Sequence, residues 1–429
     1  MVPHLATVLH GPINDLEQRI LDSTPAIERW FRLEWMEHTP PFYCAVDVRN
    51  AGYKLAAVET DLFPDGWHSL TPSMLSLAVQ AAMAAIEKIC PEARNLLIIP
   101  RNLVPSAAYL ASLAQLRQVF HMAGLNVRLG SISPDVKKLQ TLALPDGESI
   151  ALEPVVRHKG RLMVKDFDPC TILLNHDLRS GVPGILEDLH QQYLLPPLHA
   201  GWALRRRSNH FKCMEEVSKR FGKLIGVDHW LLNPLHDRCA QADFSNDAGV
   251  QELAQRVDAL LTKIRKKHKE YGIKEKPFVV VRTDDARVGL TTAQVRDGKE
   301  LLALRPGLVQ ARALDHAPVF DVVVHEGVAA SERVNDAIAE PVVYMMDRYV
   351  VGGFYRVHAH TGSPGPAEPI GQGFVPLPFA QEGQLTQPGA KPGASAPNRF
   401  YMYGVVGRLA MLAASYELEA TDPEAERYD

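Results

Sequence analysis

The sequence lacks the cysteine spacing of a zinc site or of a disulfide scaffold. Its 429 residues include five cysteines, and no two of them form a CxxC pair. They are Cys44, Cys90, Cys170, Cys213 and Cys239. Scattered cysteines are typical of proteins from a reducing compartment, and this spacing argues against a structural zinc site.

The chain also lacks targeting and membrane signals. Its N-terminus shows no charged segment followed by an apolar one, and no apolar run approaches the length of a membrane span. Positive charge is not in excess, since the formal net charge is −4 and the pI is about 6.5. We therefore expect a soluble cytoplasmic protein that binds neither membranes nor nucleic acid. Oligomeric state is left open by a single sequence.

What is present is enough apolar content for a large core. Hydrophobic residues make up 46% of the chain. At this length, such a composition predicts two or three subdomains.

The most informative stretch is residues 340–360, with the sequence EPVVYMMDRYVVGGFYRVHAH. It contains two runs rich in β-branched and aromatic residues, which are separated by the charged pair Asp347 and Arg348. Such runs predict two strands of an antiparallel sheet.

The second of these strands would place Arg356, His358 and His360 on one face, because side chains alternate along a strand. Three potentially cationic groups on one face favour a bound anion, either a nucleotide phosphate or a carboxylate. A solvated sheet face is the alternative, and the spacing alone does not separate the two.

An α/β unit is predicted in the N-terminal half. Residues 95–99 and 126–131 have the composition of strands, and residues 106–123 between them have that of a helix. A strand–helix–strand order implies parallel strands and an α/β domain.

The loop that follows the first of these strands contains Arg101 and Asn102. Ligands of open α/β sheets usually bind at the carboxyl ends of the strands. Both residues are therefore candidate substrate contacts, and a solvated loop is the alternative.

Three consecutive arginines, Arg205, Arg206 and Arg207, precede a predicted helix that Ser208 would cap and Gly226 would end. A helix N-terminus carries partial positive charge, so arginines beside it favour an anion. The alternative is a surface patch that pairs with nearby acids. Lys212 lies one turn inside the helix and is a weaker candidate.

Residues 277–281 predict a buried strand that ends at Arg282. The loop that follows, residues 283–295, carries the acids Asp284 and Asp285 but only one glycine. Acids would repel a phosphate there unless Mg²⁺ bridged them.

Long blocks of the sequence resemble one enzyme family. The stretch at 340–360 is similar to the distal half of an ATP-grasp nucleotide site, and the whole chain resembles the proteobacterial glutamate–cysteine ligases. The matching blocks are residues 173–183, 196–211, 277–282, 332–358, 374–380 and 398–419.

The resemblance implies an ATP-dependent ligase that makes γ-glutamylcysteine in the first step of glutathione biosynthesis. Phosphoryl transfer from ATP, with Mg²⁺, would activate the γ-carboxyl of glutamate as an acyl phosphate, which the amine of cysteine attacks. Catalysis would then depend on positioning and charge neutralisation rather than on a covalent nucleophile.

The resemblance also implies roles for individual residues. It assigns phosphate contacts to Arg282 and Lys212, adenine contacts to a strand edge at Tyr344 and Met346 with Asp347 nearby, and the transferring phosphate to Arg356. It also assigns contacts with the substrate carboxylate to Arg207 and Asn209, and the coordination of Mg²⁺ to Glu368. Without the resemblance, residues 343–347 are better interpreted as an ordinary core strand.

Three segments depart from the family pattern: residues 100–106, 283–295 and 366–372. These departures leave two other hypotheses open. One is a catalytically altered or inactive relative that binds a nucleotide or amino acid without ligation, and the other is an ATP-grasp ligase for different amino acids.

The predicted fold class is α/β (α+β). We expect an N-terminal α/β substrate domain over residues 1–195 with parallel strands. Residues 196–429 would form an ATP-grasp-like nucleotide-binding region, with a mobile Gly/Pro-rich loop at 362–397.

Overall fold

The computed structural model describes residues 5–6, 12–101, 106–144, 146–285, 290–310, 318–334, 336–358, 374–377 and 399–423. The predicted mobile loop at 362–397 lies outside these residues, except for residues 374–377. No helix in the described part of the chain is long and apolar enough to cross a bilayer.

The α-helices of the described residues are distributed along the whole chain. They are α1 (Pro12–Asp22), α2 (Thr24–Glu37), α3 (Pro72–Ile89), α4 (Ala107–Met122), α5 (Arg207–Ile225), α6 (Gln251–Glu270), α7 (Gly298–Leu308) and α8 (Phe400–Ala420).

The strands fall into three sheets and one separate hairpin. Those of the first half are β1 (Leu5–Ala6), β2 (Tyr43–Asn50), β3 (Leu55–Asp61), β4 (Asn95–Pro100), β5 (Asn126–Ser131), β6 (Gln140–Ala143), β7 (Ser149–Pro154), β8 (Val156–His158), β9 (Arg161–Met163), β10 (Thr171–Asn175) and β11 (Tyr193–Leu195). Those of the second half are β12 (His236–Asp243), β13 (Val279–Thr283), β14 (Ala293–Val295), β15 (Val319–Glu326), β16 (Arg333–Val334), β17 (Ala337–Met346), β18 (Tyr349–Val357) and β19 (Phe374–Pro376).

The first sheet has the order β11-β10-β4-β5-β7-β6 and is parallel except for the pair of β6 and β7. Strands β4 and β5 are joined by α4, as the sequence predicted. The crossover is apolar because α4 buries Leu110, Leu113 and Leu116 against the sheet. The prediction of a parallel α/β unit is confirmed.

The second sheet is antiparallel and contains both predicted strands of the stretch at 340–360. Its order is β1-β16-β17-β18-β19, with β2 on the other side of β17 and β3 beyond β2. Because β2 and β3 belong to the first half of the chain, this sheet takes strands from both sides of the predicted boundary at residue 195. The boundary therefore does not separate the sheets.

The third sheet, with the order β12-β15-β13-β14, is antiparallel throughout. Helices α6 and α7 cover one of its faces and form a core of their own with it. The mixture of helices with parallel and antiparallel sheets confirms the predicted α/β class.

Local signals set several helix ends correctly. Pro25 lies in the first turn of α2 and separates this helix from α1, as expected of a residue that disrupts helix interiors. The Oγ1 of Thr71 accepts a hydrogen bond from the backbone N–H of Met74 at 3.4 Å and caps α3. Gly226 ends α5 with a left-handed φ of +70°.

Gly353 lies at a tight point of the antiparallel sheet. A Cβ added there would lie 2.5 Å from the carbonyl oxygen of Val342 and 2.6 Å from Cδ1 of Leu377. We expect Gly353→Ala to lower the free energy of unfolding by about 1–3 kcal/mol, because the sheet has no room to relax around the methyl group. Urea denaturation measures this change.

Gly404→Ala is the matched control. Its Cβ would meet Val350 Cγ2 at 3.5 Å, which is an ordinary contact, and Gly404 lies inside α8. We expect no loss there and a gain of up to about 1 kcal/mol from helix propensity. Equal losses in the two variants would contradict the steric argument.

Candidate active site

The N-terminus of α5 is bound by a carboxylate from another element. Asp284, which directly follows β13, accepts hydrogen bonds from the backbone N–H and the Oγ of Ser208, both at 2.7 Å. Its carbonyl oxygen accepts from the backbone N–H of Arg207 at 2.8 Å. The prediction that Ser208 caps this helix is therefore wrong, because α5 already begins at Arg207 and Asp284 supplies the acceptor.

This arrangement also changes the predicted anion site. Two backbone donors of the first turn of α5, those of Arg207 and Ser208, bind Asp284, which Arg238 also binds at 2.9 Å. A ligand anion would therefore meet the arginine side chains rather than the helix end. The same contacts fix α5 against β13, and so bring Arg207 close to Arg282.

Arg207 and Arg282 converge on one carboxylate, that of Glu59 in β3. Arg282 Nη1 lies 2.5 Å from Glu59 Oε2, and Arg207 Nε lies 3.6 Å from the same oxygen. Arg282 also donates to the carbonyl oxygen of Val58 at 2.9 Å. Burial raises the pKa of Glu59, but the two arginines outweigh burial and hold that pKa well below the usual range. Glu59 is therefore charged at neutral pH.

Arg205 has a different role from its neighbour Arg207. Its Nε donates to both carboxylate oxygens of Glu417, at 3.0 and 3.1 Å, and its Nη1 donates to the carbonyl oxygen of Thr60 at 2.6 Å. Arg205 and Glu417 are 3% and 2% exposed. This buried pair fixes the segment before α5 to α8 and β3, so the donors of Arg205 are used within the protein.

A cleft lies where β3, α5 and β13 meet. It is lined by Val58, Glu59, Thr60, Trp202, Arg205, Arg207, His210, Phe211 and Arg282. The Nε atoms of Arg207 and Arg282 are buried and have no hydrogen-bond partner. The cleft therefore keeps donor capacity for an anion beyond what Glu59 uses.

Arg356 lies on β18 of the antiparallel sheet, and β17 lies between β18 and β2. It binds Asp47 through two hydrogen bonds, of 2.8 and 3.2 Å. Asp47 pairs directly across the strands with Glu59, so the two acids are neighbours on the sheet. Arg356 thus connects to the cleft through the pair of Asp47 and Glu59.

Arg356 and His358 lie where the sequence predicted a cationic face, but acids of the protein itself form ion pairs with them. His358 Nε2 lies 2.7 Å from Glu340 Oε2, and Arg49 Nη2 lies 2.9 Å from the same oxygen. Arg356 is neutralised by Asp47 in the same way. His360 lies outside the described residues. The face is therefore a strip of alternating charge rather than a solvated cationic surface.

Arg101 lies directly after β4, at the carboxyl end of the parallel sheet. Its Nη1 binds Asp65 at 3.0 Å, its backbone N–H donates to Tyr109 Oη at 3.0 Å, and its Nε is buried without a hydrogen-bond partner. Asp61, the last residue of β3, lies close enough to influence the Arg101 charge. Because Asp61 and Glu59 share a face of β3, this strand links Arg101 to the cleft.

The pKa of Asp61 is shifted toward neutral pH. Burial raises its pKa to about 6, from an ordinary value of 3.8, against the lowering effects of the Phe63 N–H and Arg101. Between these two pH values the folded chain binds a proton that the unfolded chain has released. The wild type therefore loses stability as the pH rises through this window.

We expect Asp61→Asn to be more stable than the wild type at pH 8, because the amide cannot ionise. The advantage should shrink as the pH falls below about 6. Urea denaturation at pH 5 and pH 8 checks this, with Asp168→Asn, an exposed aspartate that pairs with Arg161 at 2.9 Å, as the control. A pH-independent difference between Asp61→Asn and the wild type would contradict the argument.

The prediction that Tyr344 and Met346 lie at a strand edge is wrong. Strand β17 is internal, since residues 344–346 pair with β18 on one side and with β2 on the other. Their backbone groups are used by the sheet. The Tyr344 hydroxyl donates to the carbonyl oxygen of Asp65, and its ring packs 5.2 Å from that of Trp67.

Asp347 lies in the turn between β17 and β18, with φ +49°, and its backbone N–H donates to the carbonyl oxygen of Phe42. This turn is five positions beyond Val342, which lies opposite Asp47. At a rise of about 3.3 Å per residue, that places Asp347 about 16 Å along the sheet from the level of Asp47. The structure therefore does not bring Asp347 together with Arg207 and Arg282.

Two other candidates do not line the cleft, and two more lie outside the described residues. Lys212 and Asn209 are exposed on α5. Asn102 and Glu368, the latter predicted as a metal ligand, lie outside the described residues. Among the residues that the structure describes, no group of three or more His, Cys, Asp or Glu side chains is placed to hold a metal ion.

Sequence reasoning missed the acids of the site: Asp47, Glu59, Asp61 and Asp65. The spacing of Glu59 and Asp61 held a partial signal, since two acids two residues apart share a face wherever the chain is a strand, as it is in β3. Asp47 gave no such signal, because its contact with Arg356 joins residues 309 positions apart.

Comparison with known proteins places the chain in a family. A sequence profile for the GshA glutamate–cysteine ligases matches residues 17–418. A crystal structure from Methylobacillus flagellatus, named "Putative gamma-glutamylcysteine synthetase", shares 47% identity and has a TM-score of 0.86. That match covers 98% of this chain and 100% of the other.

A glutathione synthetase-like effector from Globodera pallida matches only at 12% identity and a TM-score of 0.35, over 74% of this chain and 71% of the other. No significant match was found among curated proteins. The profile match over most of the length, together with the close structural match, shows that this chain belongs to the GshA glutamate–cysteine ligase family.

Proposed function

We propose that the protein is an ATP-dependent glutamate–cysteine ligase that joins the γ-carboxyl of glutamate to the amine of cysteine. The observation that carries this proposal is the convergence of Arg207 and Arg282, from two different elements, on one cleft. Both guanidinium groups keep a buried Nε without a hydrogen-bond partner. A cleft of this kind suits anionic groups that must be held close together, as a carboxylate and a phosphate are during activation.

The arrangement of the sheets supports an ATP-grasp-like organisation. Arg282 comes from the four-stranded sheet, whereas Glu59 and Asp47 come from the large antiparallel sheet. The cleft thus lies where two antiparallel sheets approach each other. A nucleotide held there would contact both.

The residues of the cleft would act by positioning and by neutralising charge. Arg282 would contact the phosphates, Arg356 the phosphoryl group in transfer, and Arg207 a substrate carboxylate. ATP, when bound, supplies the phosphoryl group that turns the γ-carboxylate into an acyl phosphate, which the amine attacks. No covalent nucleophile is required, because the acyl phosphate is itself reactive.

Magnesium would come with the nucleotide, but the described residues supply no complete site for it. Mg²⁺ usually retains several waters and takes only one or two carboxylates in addition to phosphates. Glu368 stays a predicted ligand, and no step of the mechanism depends on the metal's position.

An ADP-release assay with ATP, Mg²⁺, glutamate and cysteine tests the proposal. We expect ADP release that needs both amino acids, and a product with the mass of γ-glutamylcysteine. If ATP raises the melting temperature but no ADP appears above background, the ligase assignment is wrong, and a nucleotide-binding relative without ligation is favoured.

The second candidate, a relative without ligation, has one observation in its favour. The arginines of the cleft and of β18 are paired with Glu59 and Asp47, so an anionic ligand must compete with these acids. A third candidate, ligation of other amino acids, is separated from the first by the mass of the product.

Arg356→Ala tests the extension of the site along the sheet. We expect turnover to fall by about 10²-fold, the scale expected on loss of a preorganised charge contact to the reacting group. Steady-state ADP release measures this change. Arg256→Ala is a matched control, since Arg256 binds Asp237 through two contacts of 3.2 Å and has a similar exposed fraction, 37% against 35%. Unchanged turnover in Arg356→Ala would remove this residue from the site.

A further inference from the structure

Glu59 is the one acidic side chain among the described residues that line the cleft. It points between Arg282 and Arg207, at 2.5 and 3.6 Å, and its side chain is 26% exposed. A site for phosphate alone would gain nothing from a charged carboxylate at its centre, because like charges repel. The position of Glu59 therefore favours a ligand that carries a positive group as well as negative ones.

An α-amino acid has this pattern of charge. Its ammonium and α-carboxylate are bonded to the same carbon, and glutamate carries a second carboxylate at the end of its side chain. A pocket with cations only would reject the ammonium group. One acid between two arginines offers a partner to each of the three charged groups.

The walls of the cleft agree with a small, partly apolar ligand. Val58, Trp202 and Phe211 give it apolar walls. Such walls suit the methylene groups of an amino-acid side chain.

We propose that this cleft is the glutamate subsite, and that Glu59 accepts hydrogen bonds from the α-ammonium group. Arg207 holds the α-carboxylate, and the γ-carboxylate faces Arg282, next to the phosphoryl group that it receives. Glu59 is then a specificity-determining residue. The assignment rests on the proposed function, which it deepens by naming the substrate group at each side chain.

The test compares glutamate with glutarate, which is glutamate without its amino group. Glu59→Gln keeps the size of the side chain but removes its charge. We expect the variant to bind glutamate about 10- to 100-fold more weakly, the effect of losing one charge-assisted hydrogen bond. Binding of glutarate should be unchanged or tighter, because it has no ammonium group. Calorimetric titration without ATP measures both ligands.

Three outcomes overturn the assignment. Equal weakening of both ligands would mean that Glu59 only orients the arginines, and unchanged glutamate binding would mean that it does not contact the substrate. Absence of glutamate binding to the wild type would place the substrate elsewhere. If Glu59→Gln fails to fold, Glu59→Asp replaces it, with the expectation that glutamate keeps its preference over glutarate.

Failure of the proposed function can be told apart from failure of this inference. A wild type that discriminates glutamate from glutarate but releases no ADP would be an amino-acid-binding relative, and the role of Glu59 would stand. ADP release with an unchanged preference in Glu59→Gln would retain the ligase and reject the role of Glu59.

A second, independent observation concerns two cysteines in the N-terminal half. Cys90 ends α3, Cys170 precedes β10, and their Sγ atoms are 3.8 Å apart. Both are free and partly exposed. The two sulfurs of a disulfide are about 2 Å apart. Rotation of the side chains that moves the sulfurs together by about 2 Å would therefore allow the bond to form.

We infer that Cys90 and Cys170 form a disulfide by exchange with low-molecular-weight disulfides such as cystine. The Cys170 thiolate attacks one sulfur of cystine and releases one cysteine thiolate. Cys90 then attacks Cys170 Sγ in the mixed disulfide and releases the second cysteine. The protein dithiol is oxidised, cystine is reduced to two cysteines, and the two protein protons pass to the products.

Incubation with cystine followed by peptide mass spectrometry tests this inference. We expect a Cys90–Cys170 cross-link that is absent in Cys90→Ser and in Cys170→Ser and is retained in Cys213→Ser, where another partly exposed cysteine is removed. Closing a loop across 80 positions should raise the melting temperature by about 5 °C or more. Mixed disulfides at both cysteines without a cross-link would overturn the inference.

Discussion

Arg282→Met is expected to lower kcat/KM for glutamate by about 10³-fold. Arg282 contributes donors to the cleft from the end of β13, and the same side chain neutralises Glu59. Loss of one fixed cation at a site of developing negative charge costs about 10²- to 10³-fold in rate. We place this variant at the upper end of that range because Glu59 is left with only the more distant Arg207.

Arg282→Lys should recover part of the lost activity. A lysine keeps the charge but loses the planar fork that binds Glu59 and the carbonyl oxygen of Val58 together. Steady-state ADP release with varied glutamate gives the values for both variants. Melting temperatures then show whether either variant is also destabilised.

Arg305→Met is the control for burial and for loss of an ion pair. Arg305 lies on α7 and binds Asp247 at 2.7 Å, with 19% of its side chain exposed against 17% for Arg282. We expect its activity to stay within about twofold of the wild type, because it lies outside the cleft. If both methionine variants lost activity equally, the loss would report on stability rather than on Arg282.

Lys54→Met is expected to lower the free energy of unfolding by about 3–5 kcal/mol. Lys54 and Glu326 are 0% and 1% exposed, and Lys54 Nζ lies 2.6 Å from Glu326 Oε2. Removal of the lysine leaves a charged carboxylate buried and without a counter-ion, which is the costly way to break such a pair. Urea denaturation measures the loss.

The double variant Lys54→Met with Glu326→Leu should be more stable than Lys54→Met alone, since no buried charge remains. Recovery should be incomplete, because Trp230 Nε1 and the backbone N–H of Leu235 also donate to Glu326 Oε2, both at 3.0 Å. Those donors would lose their acceptor. A double variant no more stable than the single one would show that packing, not charge, decides this site.

Lys219→Met is the comparison at the surface. Lys219 pairs with Glu215 at 2.5 Å, one turn away on α5, but 54% of its side chain is exposed. Exposed pairs of this kind contribute about 0–1 kcal/mol. A loss in Lys219→Met as large as that in Lys54→Met would contradict the role given to burial.

Much of the local structure follows from short stretches of sequence. The split between α1 and α2 at Pro25, the cap of α3 by Thr71 and the parallel pair of β4 and β5 were all predictable. Each depends on residues close together in the chain, where backbone geometry and hydrophobic period act directly.

The candidate site was predictable only in part. Arg207 and Arg282 were singled out as cations beside predicted elements, and the structure brings them to one cleft. Their acidic partner, Glu59, and the cap of α5 by Asp284 were not foreseen. Both contacts join distant parts of the chain, so no local pattern identifies the partner, although the spacing of Glu59 and Asp61 was visible in the sequence.

The sequence by itself determined the elements and the family, because helix and strand periods and long matching blocks are properties of contiguous residues. Only the tertiary structure decided which charges meet. It placed Tyr344 and Met346 in an internal strand rather than at an edge, and it set Asp47 and Glu59 side by side between arginines of different sheets. The physical reason is that ion pairing and sheet order depend on distance in space, which the order of residues along the chain does not specify.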